Sequence, residues 1–245
     1  MPIVYGKAKL LPVKSRSKFA TLLLSILAAG SSANAQDESI NPGINESYLD
    51  PDLSAIKWVE RFEREGREVY DNREAIVDVI GIEDGMRVAD IGTGTGLFVP
   101  LLLEKAGSQG HLFAVDIVPD FLARVREQAG KNGWDNLTPV LCSEKSVDLP
   151  PNSIDIAFIC YVYHNFEYTF DSLASIRKAL RPNGQLILVD FERIPGESDE
   201  WILNHMRAGQ ETFEAEIQMA GFTKTEEIKG LLKDNYMVRF TKKSG

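Results

Sequence analysis

Residues 88 to 96 read VADIGTGTG, with Gly92, Gly94 and Gly96 in five positions behind a short apolar run and just after Asp90. Glycine lacks a Cβ, so it accepts positive φ and lets a ligand come close to the backbone. Tight turns also use glycine with no ligand in view, so the spacing and flanks decide. The dinucleotide fingerprint G-x-G-x-x-G would place a third glycine at Leu97, and a P-loop would continue into Gly-Lys-Ser/Thr; neither is present. This disfavours a nicotinamide-dependent oxidoreductase or a nucleotide triphosphatase. The other residues with chemical potential are Asp116, at the end of HLFAVD, the pair Ser143 and Glu144, the histidines His111, His164 and His205, and two cysteines.

Short β-rich runs at 86–91, 111–116, 137–142, 154–161 and 185–191 alternate with helical or turn-rich segments, the signature of a parallel α/β sheet. Helices are expected over 96–106, 119–131 and 168–180, the last ending at the RPNG turn of 181–184. A further helical stretch over 198–220 breaks near Gly209, and FTKTEEIK and NYMVRFTKK read as an antiparallel strand pair closing the sheet. Ahead of the first strand, Ile56, Val59 and Phe62 and then Ile76, Val79 and Ile80 recur at helical spacing, giving two helices, with Asp71 and Glu74 set as a capping box. The glycines thus occupy the first strand-to-helix turn, where a doubly wound sheet opens its binding crevice.

Taken together, D-x-G-x-G-x-G after a strand, Asp116 at the end of the second strand, LPPNSIDIAFICYVYHNF and ALRPNGQLILVDF resemble the class I S-adenosylmethionine-dependent methyltransferases over about residues 70–243. The resemblance implies a Rossmann-like α/β fold, doubly wound, with seven strands in the order 3-2-1-4-5-7-6 and the last strand antiparallel. It implies S-adenosyl-L-methionine as cofactor and methyl transfer to a small-molecule acceptor. Asp90 would orient the methionine ammonium, Gly92, Gly94 and Gly96 would form the cradle, and Ile117 would pack on adenine. Asp116, 20 residues past Gly96, would accept hydrogen bonds from both ribose hydroxyls. Ser143 stands where family members often carry an acid that contacts the adenine amine, so either Ser143 or Glu144 takes that place. A cofactor-binding module without catalysis is the alternative reading.

Methyl transfer from a sulfonium is an in-line displacement, so positioning of the acceptor comes first and a base second. His111 precedes the second strand and is expected to be exposed. His164, in YVYHNF at the crevice mouth, is the candidate base or a pocket-lining residue; His205, in WILNHMRAG, lines a lid or lies on a helix surface. Tyr161, Tyr163, Phe166 and Tyr168 offer an aromatic wall or core packing. Arg61, Arg64 and Arg67 could grip an anion, but the interleaved Glu60, Glu63, Glu65 and Glu68 favour a solvated, salt-bridged helix. Cys142 and Cys160 would end strands three spacings apart, roughly 14 Å, beyond a disulfide's reach of about 4.4–6.8 Å between Cα atoms. They are expected as free thiols, and no metal-ligand spacing occurs.

The first 35 residues differ from the rest. Lys7, Lys9, Lys14, Arg16 and Lys18 precede FATLLLSILAAG, and Ala33 and Ala35 form an A-x-A site, the layout of a secretory signal peptide cut after Ala35. The apolar run of Phe19 to Gly30 has twelve residues, short of the roughly 20 that span a bilayer. The expected domains are a signal peptide over 1–35, a polar linker over 36–52 and the catalytic domain over 53–245, in an exported protein that contacts membrane only if the leader stays. Without the leader, 22 of the 27 Lys and Arg remain against 36 Asp and Glu, a formal charge of -14, which disfavours nucleic acid as a partner.

Overall fold

The computed structural model describes residues 36–243; the leader expected over 1–35 lies outside them. Seven strands form one sheet in the order β3-β2-β1-β4-β5-β7-β6: β1 (Arg87–Ile91), β2 (His111–Asp116), β3 (Leu137–Leu141), β4 (Ile154–Cys160), β5 (Leu180–Phe191), β6 (Phe222–Glu227) and β7 (Asn235–Lys242). The first five are parallel, and β7 runs antiparallel to both β5 and β6, the arrangement expected.

Eight helices accompany them among the described residues: α1 (Ala55–Phe62), α2 (Glu68–Asp71), α3 (Arg73–Ile80), α4 (Val99–Ala106), α5 (Pro119–Asn132), α6 (Thr169–Ala179), α7 (Glu200–His205) and α8 (Gln210–Met219). Central parallel strands are covered on both faces, which explains the nearly unbroken apolar run of β4. On one face Ala89, Ile91 and Ile159 pack with Leu173 and Ile176 of α6 and with Phe213 and Ile217 of α8. On the other, Val88, Ile156 and Phe158 pack with Ile76 and Ile80 of α3, Leu102 of α4 and Val125 of α5. Phe158, fully buried, meets Phe98 edge-to-face at 5.0 Å, a geometry that adds to its burial.

Local chemistry sets the boundaries. Pro119 opens α5 and Gly133, at φ +67°, ends it, the usual division of labour between the two residue types. Gly209 caps α8 and accounts for the break after α7. Strand β5 starts earlier than expected: Leu180 pairs with Ile154 and Gln185 with Ile156, so residues 181–184 bulge out of register with Asn183 at φ +63°.

Three expectations need correction. The segment before β1 holds three helical pieces, because Gly66, at φ +81°, and the turn around it separate α1 from α2. The capping box does not form: Asn72 caps α3 without a side-chain bond, and the Asp71 carboxylate instead accepts from the Gly66 N–H at 3.0 Å. Residues 36–52, read as a linker, have no regular helix or strand, yet they are fastened to the body. Ile40 N donates to Glu167 O (2.9 Å), Gly43 N donates to Glu167 Oε1 (3.1 Å), and Asn45 is buried.

Candidate active site

The glycine loop follows β1, and its three glycines do three different jobs. All have positive φ: +71° at Gly92, +52° at Gly94 and +87° at Gly96. A Cβ on Gly92 would stand 2.3 Å from Val162 Cγ2, in the loop after β4, so that position admits nothing larger. Gly94 faces a cavity, with Phe62 3.5 Å from where its Cβ would be. Gly96 does not line the cavity; its missing Cβ lets the loop close on Val125 and Gln128 of α5.

The cavity encloses about 400 Å³ over the C-terminal ends of β1, β2 and β4, within the usual range for small-molecule sites. Its floor carries two buried carboxylates. Asp116 accepts from Gly94 N through Oδ2 (2.8 Å) and from Val118 N through Oδ1 (2.9 Å). Burial outweighs those bonds and pushes its carboxyl up to about 6. The Asp90 carboxylate accepts from the Thr93 hydroxyl (2.7 Å), and burial raises it further, to about 7. Beside them the buried Thr95 hydroxyl has no partner among the described residues. Two anions-in-waiting, an open glycine and an orphaned hydroxyl lining one crevice suit a ligand with several donors and a positive charge.

Ile117, Ser143 and Glu144 line the same cavity. Glu144 is engaged already, since Asn45 Nδ2 donates to its Oε1 (2.9 Å) and to Asn165 O (3.2 Å). Cys142 and Cys160 are both free thiols on the lining. Burial pushes Cys142 up to about 12 and raises Cys160 as well, so neither is a ready nucleophile.

His164 sits in a 3₁₀ turn (Tyr163–Asn165) after β4, is 3% exposed and lines the cavity. Its Nδ1 lies 2.8 Å from Oδ1 of Asp190, a carboxylate with no exposure at the end of β5. A second bond runs from His164 N to Asp190 Oδ2 (3.3 Å). An ionised carboxylate only accepts, so this contact makes Nδ1 the donor and leaves Nε2 as the free lone pair. Asp190 escaped the sequence reading; the signal for it was a carboxylate in LILVDF, ending the strand next to the one that precedes His164. His205 lies 5.1 Å from the His164 ring and 6.4 Å from the Trp201 ring. Burial, and then the neighbouring His164, hold it below the usual imidazole range. His111 is remote, with Nε2 2.8 Å from Thr138 Oγ1 at the far end of β2.

The cover is built from side chains. Tyr161, at φ +60° although not glycine, stacks on Phe191 at 3.9 Å, with the Arg67 guanidinium 4.7 Å over its ring. Such strain in a buried non-glycine residue concentrates at functional sites. Trp201 meets Phe191 edge-on at 5.0 Å while remaining half exposed. Of the solvated, salt-bridged helix expected for Arg61, Arg64 and Arg67, the exposure holds for Arg61 and Arg64, but all three also border the cavity, Arg67 is half-buried, and Arg61 lies 4.8 Å over Trp58. Of the interleaved acids, Glu63 pairs with Arg124 (3.9 Å), and Glu68 accepts from Lys233 N and Asp234 N. Tyr163 and Phe166 pack against each other at 5.3 Å, and the Tyr163 hydroxyl reaches Glu216 (3.1 Å). Tyr168 carries Lys145 over its ring at 4.2 Å.

Known proteins share this architecture. Among curated relatives, a ubiquinone/menaquinone biosynthesis C-methyltransferase of Nitrosospira multiformis is 30% identical over 119 residues, 48% of each chain. One of the same description from Cupriavidus taiwanensis is 27% identical over 115 residues, 46% of each. The chain thus spans about half the length of the curated relatives it matches. A SAM-dependent methyltransferase from Aquifex aeolicus superposes with a TM-score of 0.67 at 20% identity, over 77% of this chain and 98% of that one. The family described as "Methyltransferase domain" matches residues 82–238, more than half of the sequence and all of the site's floor. With this fold and that match, the chain belongs to the class I S-adenosylmethionine-dependent methyltransferase family.

Proposed function

We propose that the protein transfers a methyl group from S-adenosyl-L-methionine to a small aromatic acceptor bearing an ionisable hydroxyl. The observation that carries this reading is the His164–Asp190 pair at the edge of the same cavity that Asp90 and Asp116 floor. When bound, the cofactor supplies a methyl already activated by its sulfonium charge. Asp116 would hold the ribose hydroxyls, Asp90 the ammonium, and Gly92 and Gly94 would let the cofactor lie against the backbone. Ile117 would pack on adenine, with Ser143 or Glu144 beside its amine. His164 would take the hydroxyl proton on Nε2, Asp190 holding the ring and balancing the imidazolium. The resulting oxyanion, or the ring carbon it activates, is the nucleophile.

The ring walls support an aromatic acceptor: Phe62, Phe191 and Trp201 line the cavity, with Tyr161 stacked on Phe191, and the nearby guanidiniums suit a phenolate. The curated relatives, described as acting in ubiquinone and menaquinone biosynthesis, point the same way. On the sequence of residues 1–35, the same proposal makes the protein an exported one, periplasmic or extracellular.

Calorimetry with S-adenosylhomocysteine, followed by incubation of methyl-labelled S-adenosylmethionine with a panel of phenols, hydroquinones, amines and thiols, tests the reading. Label in a phenol or hydroquinone is the expected result. Tight binding with no label in any acceptor class would favour the non-catalytic module instead.

A further inference from the structure

Residues 36–48 form a strap over one side of the cavity, and its first residue is held with unusual completeness. The Gln36 main-chain nitrogen donates to Asp171 Oδ1 (3.0 Å). Its side-chain amide donates to Glu167 O (3.0 Å) and Glu38 O (2.7 Å) and accepts from Phe170 N (3.2 Å). Its carbonyl accepts from Lys145 Nζ (3.2 Å). Further along, Asn45 and Tyr48 line the cavity, and Asn45 bridges Glu144 to the loop carrying His164.

Asp171 stands in the first turn of α6, and its second oxygen, Oδ2, is buried with no partner among the described residues. A peptide nitrogen at Gln36 has one N–H, which Oδ1 takes. An α-ammonium on the same nitrogen would carry three donors and a full charge, enough for both oxygens. Gln36 is also the residue exposed by cutting after Ala35.

We propose that Asp171 is a docking site for a free α-ammonium on Gln36, and that this ion pair clamps the strap that completes the cofactor cavity. The inference rests on the cleavage reading of residues 1–35. A signal peptidase adds water across the Ala35–Gln36 bond; the acyl carbon leaves as the Ala35 carboxylate, and the freed amine takes up a proton. Removal of the leader then finishes the active site. The side-chain clasp has a second consequence. An N-terminal glutamine can cyclise when its amine attacks the carboxamide carbon and expels ammonia, leaving a neutral lactam. Here the carboxamide is held by Glu167 and Phe170, so the end stays open and charged.

The rival explanation is that Asp171 only complements the positive end of α6, which needs nothing from Gln36. A double-mutant cycle on the exported protein separates the two. The full chain is expressed with its leader in four forms: native, with one alanine inserted before Gln36, with Asp171→Asn, and with both changes. Intact mass establishes each mature end. The insertion restores a peptide N–H at Gln36 and moves the ammonium one residue, about 3.8 Å, outward. S-adenosylhomocysteine affinity and unfolding temperature are then measured.

The insertion should weaken binding about fivefold when Asp171 is present and less than about twofold after Asp171→Asn, with a parallel loss in unfolding temperature. Equal losses in both backgrounds, or a native end that has lost ammonia, would overturn the ammonium site while leaving the cleavage reading standing. A native end at a residue other than Gln36 would remove both. Coupling in unfolding temperature without coupling in affinity would sever the clamp from the cavity.

Discussion

The two walls of the cavity are made differently. The floor is backbone and buried carboxylate: Gly92 and Gly94 fix where the chain may run, Asp116 is held by two main-chain N–H groups, and the strands beneath are buried on both faces. The cover consists of side chains on short elements: Phe62 at the end of α1, Arg67 in the turn after it, Trp201 and His205 on the six-residue α7, and Tyr48 on the strap. A wall set by glycine conformation and ladder hydrogen bonds tolerates little change, whereas rotameric aromatics can be exchanged without disturbing the sheet. The floor is therefore built for one invariant ligand, and the cover sets which acceptor enters.

That division predicts which measurement each substitution moves. The largest effect on binding belongs to the floor. Gly92→Ala puts a methyl 2.3 Å from Val162 at a φ of +71°, so the loop must shift. S-adenosylhomocysteine affinity should fall more than about 100-fold, combining backbone strain with a displaced cradle. A folded Gly92→Ala protein that binds normally would break the contrast between the walls.

Next comes the chemistry between them. His164→Ala should slow single-turnover methyl transfer roughly 100- to 10,000-fold with cofactor affinity nearly constant, because a base acts in the transition state. Asp190→Asn should reproduce part of that loss, since an amide can present the wrong tautomer of the ring. A loss under about tenfold for His164→Ala would reduce it to lining. Asp116→Ala should weaken S-adenosylhomocysteine by about 1.5–3 kcal/mol, the cost of charge-assisted bonds to buried hydroxyls. Unchanged affinity by calorimetry would take the ribose role from Asp116.

The same contrast governs what the sequence reveals. The floor was legible because its chemistry is local: a strand, a glycine turn and a strand-end acid lie within 30 residues of Met86 in the chain. The strand order, with the antiparallel β7, and the free thiols followed from that resemblance. The cover was not legible, because it is assembled from contacts distant in sequence. Arg67 reads as one member of a charged helix until Tyr161 is found beneath it. Asp190 gains meaning only when β5 is seen beside β4, bringing its carboxyl to His164 across 26 positions. The strap looked like a linker because its anchors, Glu144, Glu167 and Asp171, lie about 100 residues or more further on.

Protons offer a finer probe of the floor. Burial pushes Asp90 up to about 7 and Asp116 up to about 6, above the usual 3.8, so the two acids hold protons near neutrality. For folding the sign is clear: between about pH 4 and 7 the native state holds protons that the unfolded chain has released, so these two groups lower stability as pH rises through that window. Ligand binding has the opposite slope. An ammonium beside Asp90 and hydroxyls on Asp116 favour the carboxylates, so S-adenosylhomocysteine should expel protons and bind more tightly from pH 5.5 towards 7.5, then level off. Calorimetry at pH 6.5 in buffers of different ionisation enthalpy counts those protons, and Asp90→Asn should abolish most of the release. A count of zero in the native protein would mean that the ligand does not meet these acids.

The smallest effect belongs to the cover's outermost ring. Trp201 is half exposed, at the rim of the cavity, where it meets Phe191 edge-to-face at 5.0 Å. It lies one helical turn before His205 on α7, so its loss removes a flat apolar face without unseating a buried partner. Trp201→Ala should leave S-adenosylhomocysteine affinity within about twofold and raise KM for an aromatic acceptor about three- to tenfold, the worth of one aromatic contact at a half-solvated edge. A matching loss in cofactor affinity would show that α7 belongs to the floor. A lowered kcat at unchanged KM would instead make the α7 segment part of the machinery that positions His164.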